Sequence, residues 1–99
     1  MSKKGSIDPF AGIHIRISLP WLYESAADWI IKMGGSQINA IALIPTDGGT
    51  HLLCSNAEVA AVAVERFRAP ICEPYRKGDQ AFNILRIPIS NPEQVLKEM

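Results

Sequence analysis

The feature that most constrains the fold is a change of hydrophobic period at Pro20. Before it, residues 12–19 alternate between apolar and polar side chains, which is typical of a strand. After it, apolar residues in 21–33 recur at helical spacing, and Gly34-Gly35 is a common helix stop. The sequence therefore predicts a strand with a polar, water-facing side, followed directly by a helix. The apolar side of that strand carries Ile13, Ile15, Ile17 and Leu19.

A hairpin is predicted after the first helix. Residues 38–44 are apolar almost throughout, as expected of a central strand covered on at least one face. The segment 45–49 contains Asp-Gly, a strong hairpin signal, and residues 50–54 return as the partner strand.

The rest of the chain predicts a second helix and a further strand–helix pair. Ser55 or Asn56 caps a helix over 57–68. The segment 71–75 contains a proline and indicates an edge strand, while 82–89 indicates another strand. A short helix is expected after Pro92, which suits the first helical position.

The element order β-α-β-β-α-β, with one more strand and a short helix, predicts the α+β class. We expect a ferredoxin-like domain, an antiparallel sheet with two helices on one face. Residues 1–11 are interpreted as a leader, tag-like or disordered, and 12–99 as a single α/β domain. The strand–helix at 82–99 is similar to the opening of the chain and so looks repeat-like. Its strand must pair either with its own sheet or with another copy.

The composition limits the kinds of partner that we expect for this chain. Formal net charge is zero and the basic residues are scattered, which disfavours nucleic acid because phosphate contacts need a concentrated basic surface. No apolar run approaches the roughly 20 residues that cross a bilayer, so no membrane partner is expected. A chain of 99 residues buries only about 60–65 % of its unfolded surface, so association with a second copy would add stability.

The sequence indicates no catalytic residue, metal or cofactor. Cys54 and Cys72 lack ligand spacing, so we expect two reduced thiols in or near the core and a cytoplasmic location. His51 and Cys54 lie three apart on one predicted strand and therefore point to opposite faces. A small enzyme using His14 or His51 with Cys54 is the weakest hypothesis.

Charges and aromatic residues of the first helix have ordinary explanations. Glu24, Asp28 and Lys32 are spaced for an ion-pair ladder along one side. Trp29 falls in the apolar stripe and is expected in the core. Trp21 is either a core contact or the wall of an interface or pocket.

Several landmarks in residues 13–75 resemble the ACT domain, a small regulatory module that commonly binds amino acids between two copies. Those landmarks are Pro20 with Leu22 after the first strand, Gly35 leading to Ile38-Asn39, the Gly48-Gly49 hairpin, and Ser55 to Glu58 before an alanine-rich helix. The chain departs from the family at Leu19 and Trp21, where an acidic residue and a glycine are usual.

This resemblance implies a non-enzymatic regulatory domain that self-associates and binds an amino-acid-like, small polar metabolite. The implied ligand-binding residues are Pro20, Trp21, Leu22, Ile38 and Asn39. The alternative is an oligomerisation or protein-interaction module without a small ligand. It is favoured by Trp21 in place of the glycine and by possible exchange of strand 82–89 between two chains.

Overall fold

The structure is a computed structural model, and it describes residues 12–19, 23–72 and 74–99. The suspected leader, residues 1–11, lies outside this part. Within it the elements are β1 (His14–Ile17), α1 (Tyr23–Met33), β2 (Ala40–Thr46), β3 (Gly49–Cys54), α2 (Ala57–Phe67), β4 (Tyr75–Lys77), β5 (Gln80–Ile87) and α3 (Pro92–Glu98), with a short 3-10 turn at Gly35–Gln37.

The five strands form one mixed sheet in the order β1-β2-β3-β5-β4. This confirms the α+β class, but the expectation of a wholly antiparallel, ferredoxin-like sheet is wrong. β1 runs parallel to β2, with His14 level with Ala40 and Ile17 level with Leu43. The reason is that α1 is a crossover, which returns the chain to the same end of the sheet before β2 begins. The remaining neighbours are antiparallel.

The helices cover both faces of the sheet, so the expectation of two helices on one face is also wrong. Ala26 and Ile30 of α1 pack against Ala42 on one face, called the α1 face. Val59 of α2 and Val95 of α3 pack on the other, called the α2/α3 face. The physical reason lies in β2, whose first five residues are all buried and therefore need apolar cover on both sides.

The predicted C-terminal strand pairs within its own sheet. β5 lies between β3 and β4, and Leu85 and Ile87 are buried on the α2/α3 face. Because this strand already has two neighbours in its own chain, its pairing does not require exchange with a second copy. The predicted edge strand is shifted: Ile71 makes an isolated bridge to Leu85, and β4 begins at Tyr75.

Helix α2 shows how local sequence sets its boundaries. The Asn56 side chain accepts hydrogen bonds from the backbone N–H groups of Glu58 and Val59, at 2.9 and 3.3 Å, and so caps the helix. The helix ends at Arg68, whose φ of 53° lies in the left-handed region that favours glycine.

The start of β3 lies very close to the end of β5. A Cβ atom added at Gly49 would lie 2.3 Å from the carbonyl oxygen of Ile87, so only glycine fits there. Gly48, its neighbour in the turn, has open space in the same position.

Candidate functional site

The first strand lies at one edge of the sheet and presents different residues to the two faces. Arg16 lies on the α1 face, where its Nη2 donates a hydrogen bond to the Ser25 hydroxyl at 3.3 Å. Ile15 and Ile17 are level with Ile41 and Leu43 and share the α2/α3 face with them. The two sides of β1 therefore differ as the sequence pattern predicted.

The exposure of the two sides agrees with the expectation only in part. On the polar side His14 is exposed as expected, but Arg16 is half-buried and Ser18 is buried. On the apolar side Ile13 is half-buried, whereas the later residues are open to solvent. Ile15 is 38 %, Ile17 47 % and Leu19 53 % exposed, while Ile41 and Leu43, which lie level with the first two on β2, are fully buried. These three residues are called the apolar edge. They are exposed because α2 and α3 pack over the strands further into the sheet.

The backbone of this edge is also open. The N–H of His14 donates to Asn39 and that of Ser18 to Leu43, at 2.8 and 2.9 Å. Alternate residues of a parallel strand direct their polar groups to the same neighbour, so those of Ile15 and Ile17 face away from β2. β1 has no second strand neighbour in the part of the chain that the structure describes.

Three of the five predicted ligand-binding residues, Pro20, Trp21 and Leu22, lie outside the described residues. Ile38 is half-buried and packs against the core of the α1 face. The exposed Asn39 accepts a hydrogen bond from the Asn56 side chain at 3.1 Å, and this links the start of β2 to the cap of α2. Both have structural contacts, and their binding of a ligand stays a prediction.

The histidine–cysteine geometry agrees with the sequence prediction. His51 lies on the α1 face, where the Tyr23 hydroxyl hydrogen-bonds to its Nδ1, while Cys54 lies in the core of the opposite face. Burial raises the pKa of Cys54 to about 12, so its thiol is not activated. Cys54 and the half-buried Cys72 are both free thiols.

The acidic residues of α1 are paired across the fold. Lys77 of β4 lies 3.3 Å from a Glu24 carboxylate oxygen and 3.5 Å from one of Asp28. The predicted partner, Lys32, is exposed. Trp29 is half-buried against the core of the α1 face, in agreement with its place in the apolar stripe.

Two further findings concern metal binding and the spanning of a membrane. Among residues 12–19, 23–72 and 74–99, no three histidine, cysteine or acidic side chains are grouped so that they could hold a metal ion. None of the helices in these segments has the length and apolar character that spanning a membrane requires.

One pair of residues was not anticipated from the sequence. Arg86 of β5 lies directly opposite His51 of β3, on the α1 face and beside a surface cleft. The two are separated in sequence by a helix and a strand, so only the sheet register brings them together.

Comparison of the chain with models of protein families, with curated proteins and with solved structures finds no match. The fold and the site define its class: an α+β domain with a mixed sheet that has helices on both faces and an open, apolar strand edge.

Proposed function

We propose that this chain is a non-enzymatic interaction module that self-associates by antiparallel pairing of the β1 strands of two copies. The observation that carries this is the apolar edge, in which Ile15 and Ile17 of β1 and Leu19 just after it are exposed. Among the described residues, no strand pairs with the outer side of β1. An apolar edge strand is a ready template for another strand.

A second copy fits this edge because the strand is complementary to itself in one register. With Ile17 opposite Ile17 of the second copy, Ile15 lies opposite Leu19, and Arg16 lies opposite Ser18. The outward-facing backbone groups of Ile15, Ile17 and Leu19 then form hydrogen bonds with the second copy, and apolar side chains pair across the interface.

One neighbouring register is less favourable. Shifting the pairing by one step towards the start of β1 places Arg16 opposite Arg16 of the second copy. Like charges directly opposite each other destabilise a strand pair. Charge therefore disfavours this register relative to the one centred on Ile17.

The expected contact is small. The apolar edge has only three large side chains, whereas stable interfaces bury about 1,200–2,000 Å². We therefore expect a reversible dimer that dissociates on dilution rather than a permanent one.

The test is sedimentation of the full chain over a wide concentration range, with two matched variants. Ile17→Lys places a charge at the centre of the proposed interface. Ile71→Lys changes the same residue type far from β1, beside β5, where the side chain is similarly exposed at 45 %. We expect wild type and Ile71→Lys to dimerise with rising concentration, and Ile17→Lys to stay monomeric. A wild-type chain that is monomeric throughout, or dimerisation that only Ile71→Lys abolishes, would overturn the proposal.

The regulatory interpretation, in which the chain resembles an ACT domain and binds an amino-acid-like metabolite, stays a prediction. Self-association is common to it and to the interaction module. The two differ in whether a ligand binds at Pro20, Trp21, Leu22, Ile38 and Asn39.

A further inference from the structure

A cleft of about 350 Å³ opens on the sheet at the end where β2 turns into β3. Thr46 and the Gly48-Gly49 turn form one wall, while His51, Arg86 and Pro88 form the others. The volume lies near the lower limit of about 300 Å³ for small-molecule sites. The cleft is thus large enough for a compact ligand.

Arg86 gives this cleft a charged group that has no counterion among the described residues. It is exposed, and within the described ranges the ion pairs are both made by Lys77. No hydrogen bond of the Arg86 guanidinium to another described residue is present either. Its planar fork of donors therefore remains available to an anion.

His51 supplies the second donor. The Tyr23 hydroxyl is hydrogen-bonded to Nδ1, and the two rings stack with centroids 5.8 Å apart. When that hydroxyl donates to Nδ1, the neutral imidazole carries its proton on Nε2. Nε2 has no partner among the described residues, so its N–H is a donor for a ligand.

The surroundings of His51 keep its ring neutral near pH 7. Burial, and then the charge of Arg86, lower the pKa of His51 below its ordinary value of 6.5. The neighbouring groups are Tyr23 from α1, Arg86 from β5 and the apolar Ile44 from β2. The Arg86–His51 pair thus carries one positive charge, which matches a monoanion better than a dianion.

We propose that this cleft binds a small organic monocarboxylate, with the carboxylate on the Arg86 fork and on His51 Nε2–H. The planar, bidentate geometry of guanidinium suits a carboxylate, and Pro88 offers an apolar surface to the rest of the ligand. His51 and Arg86 present this site on the α1 face, whereas the apolar edge lies on the α2/α3 face, so the site is independent of self-association.

The test is an NMR titration of backbone amides with butyrate, inorganic phosphate or chloride at equal ionic strength. We expect saturable shifts with butyrate at the amides of residues 46–51, 86 and 87. Arg86→Gln should weaken binding by about tenfold or more, and Arg86→Lys, which keeps the charge but loses the fork, should also weaken it. Arg76→Gln, at an exposed arginine of β4, is the matched control and should bind like wild type.

Three results would overturn this proposal. The first is the absence of a saturable shift at the cleft with butyrate. The second is binding of phosphate as tight as that of butyrate. The third is binding of butyrate by Arg86→Gln with the affinity of wild type. Because Ile17→Lys leaves the cleft intact, the titration repeated in that variant separates failure of this site from failure of the proposed dimer.

Discussion

His51 of β3 lies directly opposite Arg86 of β5, and the Tyr23 hydroxyl is hydrogen-bonded to the His51 ring. The pair combines a half-buried imidazole with an exposed guanidinium, on the face of the sheet that α1 covers. This arrangement has consequences for stability as well as for binding, because burial and the charge of Arg86 both lower the pKa of His51.

Stability should fall when the solution is made acidic enough to protonate His51. Its pKa is lowered in the folded chain, by burial and then by Arg86, from an ordinary 6.5. Below 6.5 the unfolded chain binds this proton more readily, so stability is lost as pH falls through the folded-state pKa and is restored above 6.5. Denaturant unfolding of wild type and His51→Asn between about pH 5 and 7.5 measures this. The His51 part is the difference between the two curves, and parallel curves would contradict it.

Arg86→Gln should raise the pKa of His51 towards its ordinary value. The substitution removes the smaller of the two causes, the charge of Arg86, and leaves burial in place. NMR titration of the imidazole C–H signals gives the result directly. A pKa of His51 that is unchanged or lower in Arg86→Gln would show that the guanidinium does not act on the ring.

Gly49→Ala should destabilise the fold by about 1–3 kcal/mol, the usual cost of overpacking. Its Cβ would lie 2.3 Å from the carbonyl oxygen of Ile87, which is backbone and cannot move aside without shifting β5. Gly48→Ala, next to it in open space, is the control and should change little. Denaturant unfolding compares the two, and equal stabilities would show that β3 and β5 do not approach so closely.

Arg68→Gly should stabilise the chain by roughly 0.5–1 kcal/mol, since glycine has no steric penalty in a left-handed conformation. Arg68 ends α2 with a φ of 53°. Thermal unfolding against Arg68→Ala, which keeps the penalty, isolates this effect. A glycine variant less stable than the alanine variant would contradict the helix end described here.

Cys72 should react with a thiol reagent faster than Cys54. Cys54 is fully buried with a pKa of about 12, whereas Cys72 is half-buried. Mass spectrometry of each peptide during labelling of the native chain measures both rates. Faster labelling of Cys54 would revive the hypothesis of a reactive thiol near His51.

Local pattern predicted most of the elements and their sidedness. The change of period at Pro20, the Asp-Gly turn and the Asn56 cap depend on neighbouring residues, and the structure agrees with the strand–helix, the hairpin and the cap. The opposite faces of His51 and Cys54 follow from strand geometry alone.

The features that the local pattern did not predict depend on how segments distant in the sequence are arranged in the fold. The parallel pairing of β1 with β2 and the covering of both faces follow from the path of the chain between elements. The run Ala40–Ile44 was the available signal, because a strand buried along its length needs cover on both sides. The meeting of His51 with Arg86 had no such signal, since it depends on the register of β3 against β5.

The most direct test of self-association is hydrogen exchange at the amides of Ile15, Ile17 and Leu19, followed by NMR as the full chain is diluted. The register centred on Ile17 places these three amides in ladder hydrogen bonds with the second copy. We expect slow exchange in concentrated solution and fast exchange on dilution, while the amides of β3 stay protected throughout. Fast exchange at every concentration would contradict pairing of two β1 strands, and slow exchange at every concentration would show that the edge is covered within a single chain.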